Sequence, residues 1–354
     1  MLGRNWKLAA HVPEKWVPVF RKRTCVNAKS WSVSRSTGYA LTIACVALGA
    51  PAALAQAQTQ SIGSWVMKAP LPAALDEVGV AYVSGKVHVI GGSVLGYTGS
   101  YHQEYDPATD KWRPRAPVPR SLDHIGTTVL NGKLYAFGGF VGGTVHKDGQ
   151  DSALEYDPAL DTWRILAPMK GGRGSVSAVA LDGKIHVLGG RDANGTTLGR
   201  HEVYDPATNT WTELAPFPKP RDHMAAVVID GKIHIAGGRF GASTDRTGLH
   251  DVYDPKANTW AAGPPLPTPR SGLASTFYKG LFMVLGGEMP GQGTNAENEA
   301  YDPKSDSWLK LAPMPAGRHA TGAATDGEHV YLAGGSLTPG GAGATNQLIV
   351  FTLP

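Results

Sequence analysis

The chain has 354 residues with 45 Gly and 26 Pro, which is below the turn-former content of a collagen-like or disordered sequence, and its 42% apolar residues can build a core. The formal charge of +4 belongs to one end: residues 1–55 carry eight Lys/Arg against Glu14 alone, leaving 25 basic and 28 acidic residues beyond them. That slightly acidic body excludes the electrostatic footprint of a nucleic-acid binder, which needs many Lys/Arg at phosphates.

In chain order, the first segment runs basic, then apolar, then small. Ala40 to Ala55 (ALTIACVALGAPAALA) is interrupted by Gly49 and Pro51, which suits a signal segment better than a span of about 20 residues. Ala53-Leu54-Ala55 before Gln56 fits an A-x-A cleavage site. The expectation is a signal peptide over 1–55 and a single domain over 56–354, periplasmic or secreted, with no membrane span after cleavage; an uncleaved anchor is the alternative. Thr42-Ile43-Ala44 ahead of Cys45 is a lipoprotein-like feature, but apolar residues continue well past that Cys. Both cysteines, Cys25 and Cys45, lie in the leader, so the mature chain is expected to have no disulfide and no thiolate metal site.

The remainder repeats. Glycine pairs stand at Gly91-Gly92, Gly138-Gly139, Gly189-Gly190, Gly237-Gly238, Gly286-Gly287 and Gly334-Gly335, at spacings of 47, 51, 48, 49 and 48. After the first five pairs come Tyr105, Tyr156, Tyr204, Tyr253 and Tyr301, each followed by Asp-Pro, and seven residues later Trp112, Trp163, Trp211, Trp260 and Trp308. Each unit reads as four short strands. In the fourth, Ala225 to Ile229 leads through Asp230-Gly231, a two-residue hairpin signal, to Lys232 to Ala236 and the glycine pair. A loop then reaches His250 to Tyr253, and a turn at Asp254-Pro255 precedes the last strand at Thr259-Trp260. Tyr and Trp are expected to face one another across that outer hairpin. Equivalent inner turns are Ser84-Gly85, Asn131-Gly132, Asp182-Gly183, Lys279-Gly280 and Asp326-Gly327.

This unit of about fifty residues resembles the Kelch repeat over roughly residues 62 to 354. The resemblance implies an all-β, six-bladed β-propeller with one four-stranded blade per repeat. In the sixth unit Phe351 stands in the Tyr position and no Trp follows, whereas Trp65 lies 47 residues before Trp112 with no glycine pair ahead of it. Ile62 to Met67 is therefore predicted to supply the outer strand of the sixth blade and to close the ring.

The loop into each innermost strand and the loop after each glycine pair should share one face, around the channel mouth. Sixteen residues before each pair stand Leu75, Leu122, Arg173, Arg221, Arg270 and Arg318. The next position holds Asp76, Asp123, Gly174, Asp222, Ser271 and His319, and the one after it Glu77, His124, Ser175, His223, Gly272 and Ala320. Directly after the pairs come Ser93, Phe140, Arg191, Arg239, Glu288 and Ser336. In Kelch modules that bind acidic peptides, arginines in both loop classes hold ligand carboxylates, so the resemblance implies an anion-capable face from Arg173, Arg191, Arg221, Arg239, Arg270 and Arg318. The alternative is that the recurring Arg binds neighbouring backbone carbonyls and ties blades together.

Asp123-His124 and Asp222-His223 read as polar lining of the channel rather than as an oriented general base. His88, His186 and His234 share one strand position and read as repeat packing. His124, His223 and His319 fall in alternate blades, but His319 is one residue out of register, so no metal site and no cofactor are expected.

The favoured reading is a monomeric, non-catalytic extracytoplasmic module binding a peptide, protein or glycan, with no catalytic residue assigned. The alternative is an isomerase: the Pro220-Arg221-Asp222 tract is similar to those of periplasmic Kelch-type sialic-acid mutarotases. A tight pocket of Arg, His and Glu would favour the second reading, and a wide open surface the first. The copper-radical galactose oxidases of the same family need a Tyr–Cys crosslink, for which the mature chain would have no cysteine. Protein recovered from the extracytoplasmic fraction should begin at or near Gln56 by intact mass; full-length chain in the cytosol would contradict export.

Overall fold

Paired turns cut the repeats into strands of three to five residues that can only stack as hairpins. The computed structural model describes residues 62–142, 148–289 and 291–354; the leader, both cysteines and the expected cleavage site lie outside the described residues. In the fourth repeat Ala225–Ile229, Lys232–Ala236, His250–Asp254 and Thr259–Ala262 form one antiparallel sheet in that order. Asp230 and Gly231 both have positive φ, 48° and 74°, the mirror-image turn whose twist matches the flanking strands. Four other inner turns repeat this. The sixth differs: only Gly327 is left-handed, and the Asp326 carboxylate accepts the amides of Glu328 (2.8 Å) and His329 (2.6 Å). This wider, side-chain-supported loop shortens the inner strand to Ala323–Thr325.

Six four-stranded sheets are present among the described residues, and they make the six blades of a β-propeller. The sixth takes three strands from the end of the sequence (Ala323–Thr325, Val330–Ala333 and Leu348–Thr352) and its outer strand, Ser64–Lys68, from the beginning. Trp65 pairs with Phe351 in register, their rings 5.0 Å apart, as Tyr156 and Trp163 are. Each Trp also donates its indole N–H to the carbonyl of a crossing tract from the preceding blade: Trp112 to Ala69, Trp163 to Ala116 and Trp65 to Ala312, at 2.8–2.9 Å. The ring is thus closed by the same clamp that joins its interior blades.

A second seam lies near the axis. The second glycine of each pair donates its N–H to the carbonyl sixteen residues before the next blade's pair: Gly139 to Arg173 at 3.0 Å, Gly287 to Arg318 at 2.8 Å and, across the closure, Gly335 to Leu75 at 2.8 Å. The first glycine packs against that same carbonyl. A Cβ on Gly138 would sit 2.2 Å from the Arg173 oxygen, and its φ of 66° is in any case one that L side chains rarely adopt.

Between blades, His88, His186 and His234 are buried and each contacts a second buried imidazole, that of His102, His201 or His250, at 2.8–3.0 Å. Each of the second histidines bonds a crossing-tract carbonyl, as His102 does that of Ala116. Burial pushes His186 down to about 4 and His201 to about 3.

Removing residues before Ala69 should lower the melting temperature sharply and expose the edge of Leu348–Thr352 to aggregation, whereas an ordinary tail is dispensable. Trp65→Ala should cost about 3 kcal/mol, at the low end for aromatic truncations because Trp65 is half-buried. Equal melting of the two lengths would refute closure. Because the buried histidines stay neutral when folded, the unfolded chain takes up more protons below its pKa near 6.5, so stability should fall as pH drops from 6.5 to 5. The dependence is up to about 1.4 kcal/mol per pH unit for each such histidine. Denaturant midpoints across that window check it, and His186→Leu with His201→Leu should flatten the slope.

Candidate functional site

Three rings of equivalent residues surround the channel mouth. The residue after each glycine pair bridges, antiparallel, the residue fifteen before the pair: Asp76 with Ser93, Asp123 with Phe140, Gly174 with Arg191, Asp222 with Arg239, Ser271 with Glu288 and His319 with Ser336. The next residue in every blade is left-handed: Glu77, His124, Ser175, His223, Gly272 and Ala320 have φ of 54–69°. Their amides run around the axis from blade to blade, with Glu77 N–H to Ala320 O (2.7 Å), His124 to Glu77 (3.0 Å), Ser175 to His124 (2.9 Å), His223 to Ser175 (3.3 Å) and Gly272 to His223 (3.2 Å). Five of the six are not glycine, and Ala320 shares the conformation, so the fold imposes this collar whatever side chain it carries.

Over the collar lies a cavity of about 450 Å³, within the usual range for small-ligand sites. Its walls include Asp76, Glu77, Asp123, His124, Glu288 and His319, together with His223 and the two arginines Arg191 and Arg239. Below it the channel narrows between inner-strand residues such as Val80, Thr127 and Ala226.

The polar groups are tightly cross-linked. Arg239 donates Nε to Asp222 (3.0 Å), Nη1 to Glu288 (2.7 Å) and Nη2 to His223 Nε2 (3.0 Å). Arg191 Nε lies 3.5 Å from Asp222, and its guanidinium also donates to the Gly241 carbonyl. His223 Nδ1 bonds Asp222 at 2.5 Å; His124 Nδ1 bonds Asp123 at 2.8 Å, and its Nε2 is 2.9 Å from Glu77. Burial opposes a charge on His124, but flanking Glu77 and Asp123 override it and raise its pKa. Burial and the Arg239 charge instead lower that of His223. Two equivalent imidazoles are therefore shifted in opposite directions. Burial also pushes Asp76 up to about 6.

The six arginines separate into two groups. Arg191 and Arg239 reach the cavity with Asp123, His124, His223 and His319, and Asp222 braces them from behind. Arg173, Arg221, Arg270 and Arg318 are 0–1% exposed and point into the blades. Arg173 Nε and Arg270 Nε donate to the carbonyl of their own blade's first glycine at 2.9 and 2.6 Å. Carboxylates on the third strand neutralise three of them: Glu202 on Arg173, Asp251 on Arg221 and Glu299 on Arg270. Arg318 has the neutral Gln347 instead, at 2.7 Å. Arg173, Arg270 and Arg318 thus bind carbonyls of their own blades, Arg221 has Asp251, and within Pro220-Arg221-Asp222 only Asp222 reaches the groups of the cavity. Three acidic cavity residues absent from the expected set, Asp76, Glu77 and Glu288, occupy the same repeat positions as Asp123, His124 and Arg239; repeat alignment carried the signal, but none had a partner visible in sequence. His319 does face the mouth, bonding the Thr338 carbonyl through Nε2 at 2.9 Å, with Nδ1 3.8 Å from Glu288.

Comparison with known proteins agrees with this architecture. The family model described as the KLHDC2/KLHL20/DRC7 Kelch-repeats domain matches residues 128–335. Kelch-like protein 35 of Mus musculus is 29% identical over 133 residues, 37% of this chain and 22% of that protein. Kelch repeat and BTB domain-containing protein 12 of Danio rerio is 49% identical over 47 residues, 13% of this chain and 8% of that one. The chain thus spans about a fifth or less of the length of these relatives. The solved structure titled "Structure of YjhT" superposes with a TM-score of 0.66 at 17% identity, covering 80% of this chain and 96% of that one, a likeness of fold. With six Gly-Gly…Tyr…Trp-type blades and a family match over more than half its length, the chain belongs to the Kelch-repeat family.

Proposed function

We propose that the chain is an extracytoplasmic recognition module that draws one sugar residue of a glycan into the axial cavity. The observation that carries this is the interleaving of donors and acceptors there. Four carboxylates (Asp76, Glu77, Asp123 and Glu288) stand among two guanidiniums and three imidazoles, and both guanidiniums are already on carboxylates, Asp222 behind the wall and, for Arg239, Glu288 as well. Such a wall offers little to a bare anion. It suits hydroxyl groups, which both donate and accept, and this argues against an acidic peptide as the main ligand. Among the described residues no helix is long and apolar enough to cross a membrane.

The confined cavity with converging Arg, His and Glu also favours a second reading, acid/base interconversion of sugar anomers as in a mutarotase. Titration of the purified chain on glycan and peptide arrays, followed by NMR with the sugars that bind, tests both. Binding should fall at least about tenfold in Arg239→Ala or Glu288→Gln, the loss expected when a buried charged partner is removed. Anomer exchange faster than in buffer and lost in Asp76→Asn would select the isomerase; binding without exchange would select the module. Peptide binding indifferent to both cavity variants would refute the cavity as the site.

A further inference from the structure

A feature of the collar extends beyond sugar recognition and does not depend on it. Three of its six positions, in blades one, two and four, carry Glu77, His124 and His223, and one ligand atom from each lies within 4.8 Å of the other two. The two imidazole rings meet edge to face, centroids 5.2 Å apart. We propose that Glu77 and the Nε2 atoms of His124 and His223 form a three-ligand site for a late first-row divalent cation such as Zn²⁺, with its remaining coordination positions open to the cavity.

The donor chemistry supports this. Two imidazoles and a carboxylate suit zinc and its neighbours rather than calcium or magnesium, which prefer oxygen alone. Each imidazole is oriented by its own preceding aspartate, His124 Nδ1 on Asp123 at 2.8 Å and His223 Nδ1 on Asp222 at 2.5 Å. That carboxylate–imidazole arrangement fixes the ring and directs Nε2 at the ion, which displaces to solvent the proton shared between His124 Nε2 and Glu77. The Asp-His dipeptide recurs because bridge position and collar position are adjacent in every blade, so the collar supplies ligands while the bridge supplies their supports.

The spacing is suitable as well. Ligands at about 2.0–2.2 Å from zinc are separated from one another by about 2.9–3.4 Å at octahedral to tetrahedral angles, and Glu77 to His124 Nε2 is 2.9 Å. The remaining separation, at most 4.8 Å, has to close by a shift of the His223 ring toward the other two ligands. His223 Nε2 now accepts a hydrogen bond from Arg239 Nη2 at 3.0 Å, with Ser175 Oγ at 3.3 Å. An ion replaces Arg239 at that lone pair, while Arg239 keeps Asp222 and Glu288 through its other nitrogens. Arg239 and the cation therefore compete for one atom, and Asp76, Asp123 and Glu288 add negative charge close by. His319, the histidine of the third alternate blade, sits at the bridge position rather than on the collar; Glu77 takes the place that the sequence pattern assigned to it.

The test is a titration of the chelator-stripped chain with Zn²⁺ by calorimetry and with Co²⁺ by visible absorption. Saturable binding of one ion per chain is expected. X-ray absorption of the zinc-loaded wild type should give a shell of N/O scatterers at about 2.0–2.1 Å that includes two imidazoles; this measurement needs no variant to fold. Glu77→Gln, His124→Gln and His223→Gln should each weaken binding by more than tenfold, and Asp123→Asn by about 10-fold or more through orientation. Arg239→Met should tighten it, an effect that a merely structural role would not produce. Failure of the wild type to take up either ion overturns the site. So does a loss in His319→Gln with Glu77→Gln unchanged, which would assign the three-histidine set instead.

Discussion

The fold depends on one repeated hydrogen bond, from the second glycine of each pair to a carbonyl of the next blade. It requires the backbones to approach so closely that a Cβ on either glycine would meet carbonyl oxygen or a packed side chain, and both residues are left-handed. The bond repeats from blade to blade and spans the closure, from Gly335 to Leu75. It therefore fixes the distance between neighbouring blades at the axis. The Trp clamps and Tyr–Trp hairpins fix the same distance at the rim. A ring constrained at both radii fixes the backbone of its collar residues and leaves movement to their side chains.

That rigidity explains how the site is built. Side chains contributed by different blades, far apart in sequence, reach one small volume because each starts from a backbone position set by the seam rather than by a flexible loop. The same seam accounts for the four inward arginines. The loop that delivers its carbonyl to the neighbouring glycine has to cross the top of its own blade, and in blades three to five a guanidinium beneath it ties that crossing to the third strand, while in blade six Arg318 reaches Gln347 just ahead of that strand. Blades one and two use Leu75 and Leu122 at this position, both fully buried. A buried ion pair there is consequently one solution and a plain apolar contact another, in keeping with the small net stabilisation that buried pairs provide.

Much of this was legible beforehand. The glycine pairs, the Tyr and Trp spacing and the stray Trp65 specify blade number, strand order and closure, because each marks a position where only one or two residue types fit. The fourth repeat's strands fall within a residue or two of expectation. Depth was not legible. Arg221 and Arg239 look alike as loop arginines, yet one lies inside the blade and the other on the cavity, a distinction made by an acidic partner about thirty residues away in Arg221's case. Register at the collar was only half legible. Strand alternation was applied to His319, but the collar is left-handed rather than extended, so adjacent residues do not simply take opposite faces. Glu77, although aligned with His124 and His223, carried no sign that they converge. The Asp326 turn departed for a similar reason: extra residues in the loop let a side chain take over the work of a primed turn.

The closing strand has a consequence for the order of events in the chain's life. Trp65 is synthesised long before its partner Phe351, so the circle cannot be sealed until the strand Leu348–Thr352 has been made. Until then the first blade lacks its neighbour, and the segment around Trp65 has no strand to pair with. Interior blades can assemble hairpin by hairpin from local contacts, but the final joint pairs the most distant residues of all, the slowest kind of contact to form. A partly emerged chain is thus an open arc with two unsatisfied edges, the form most in need of an escort.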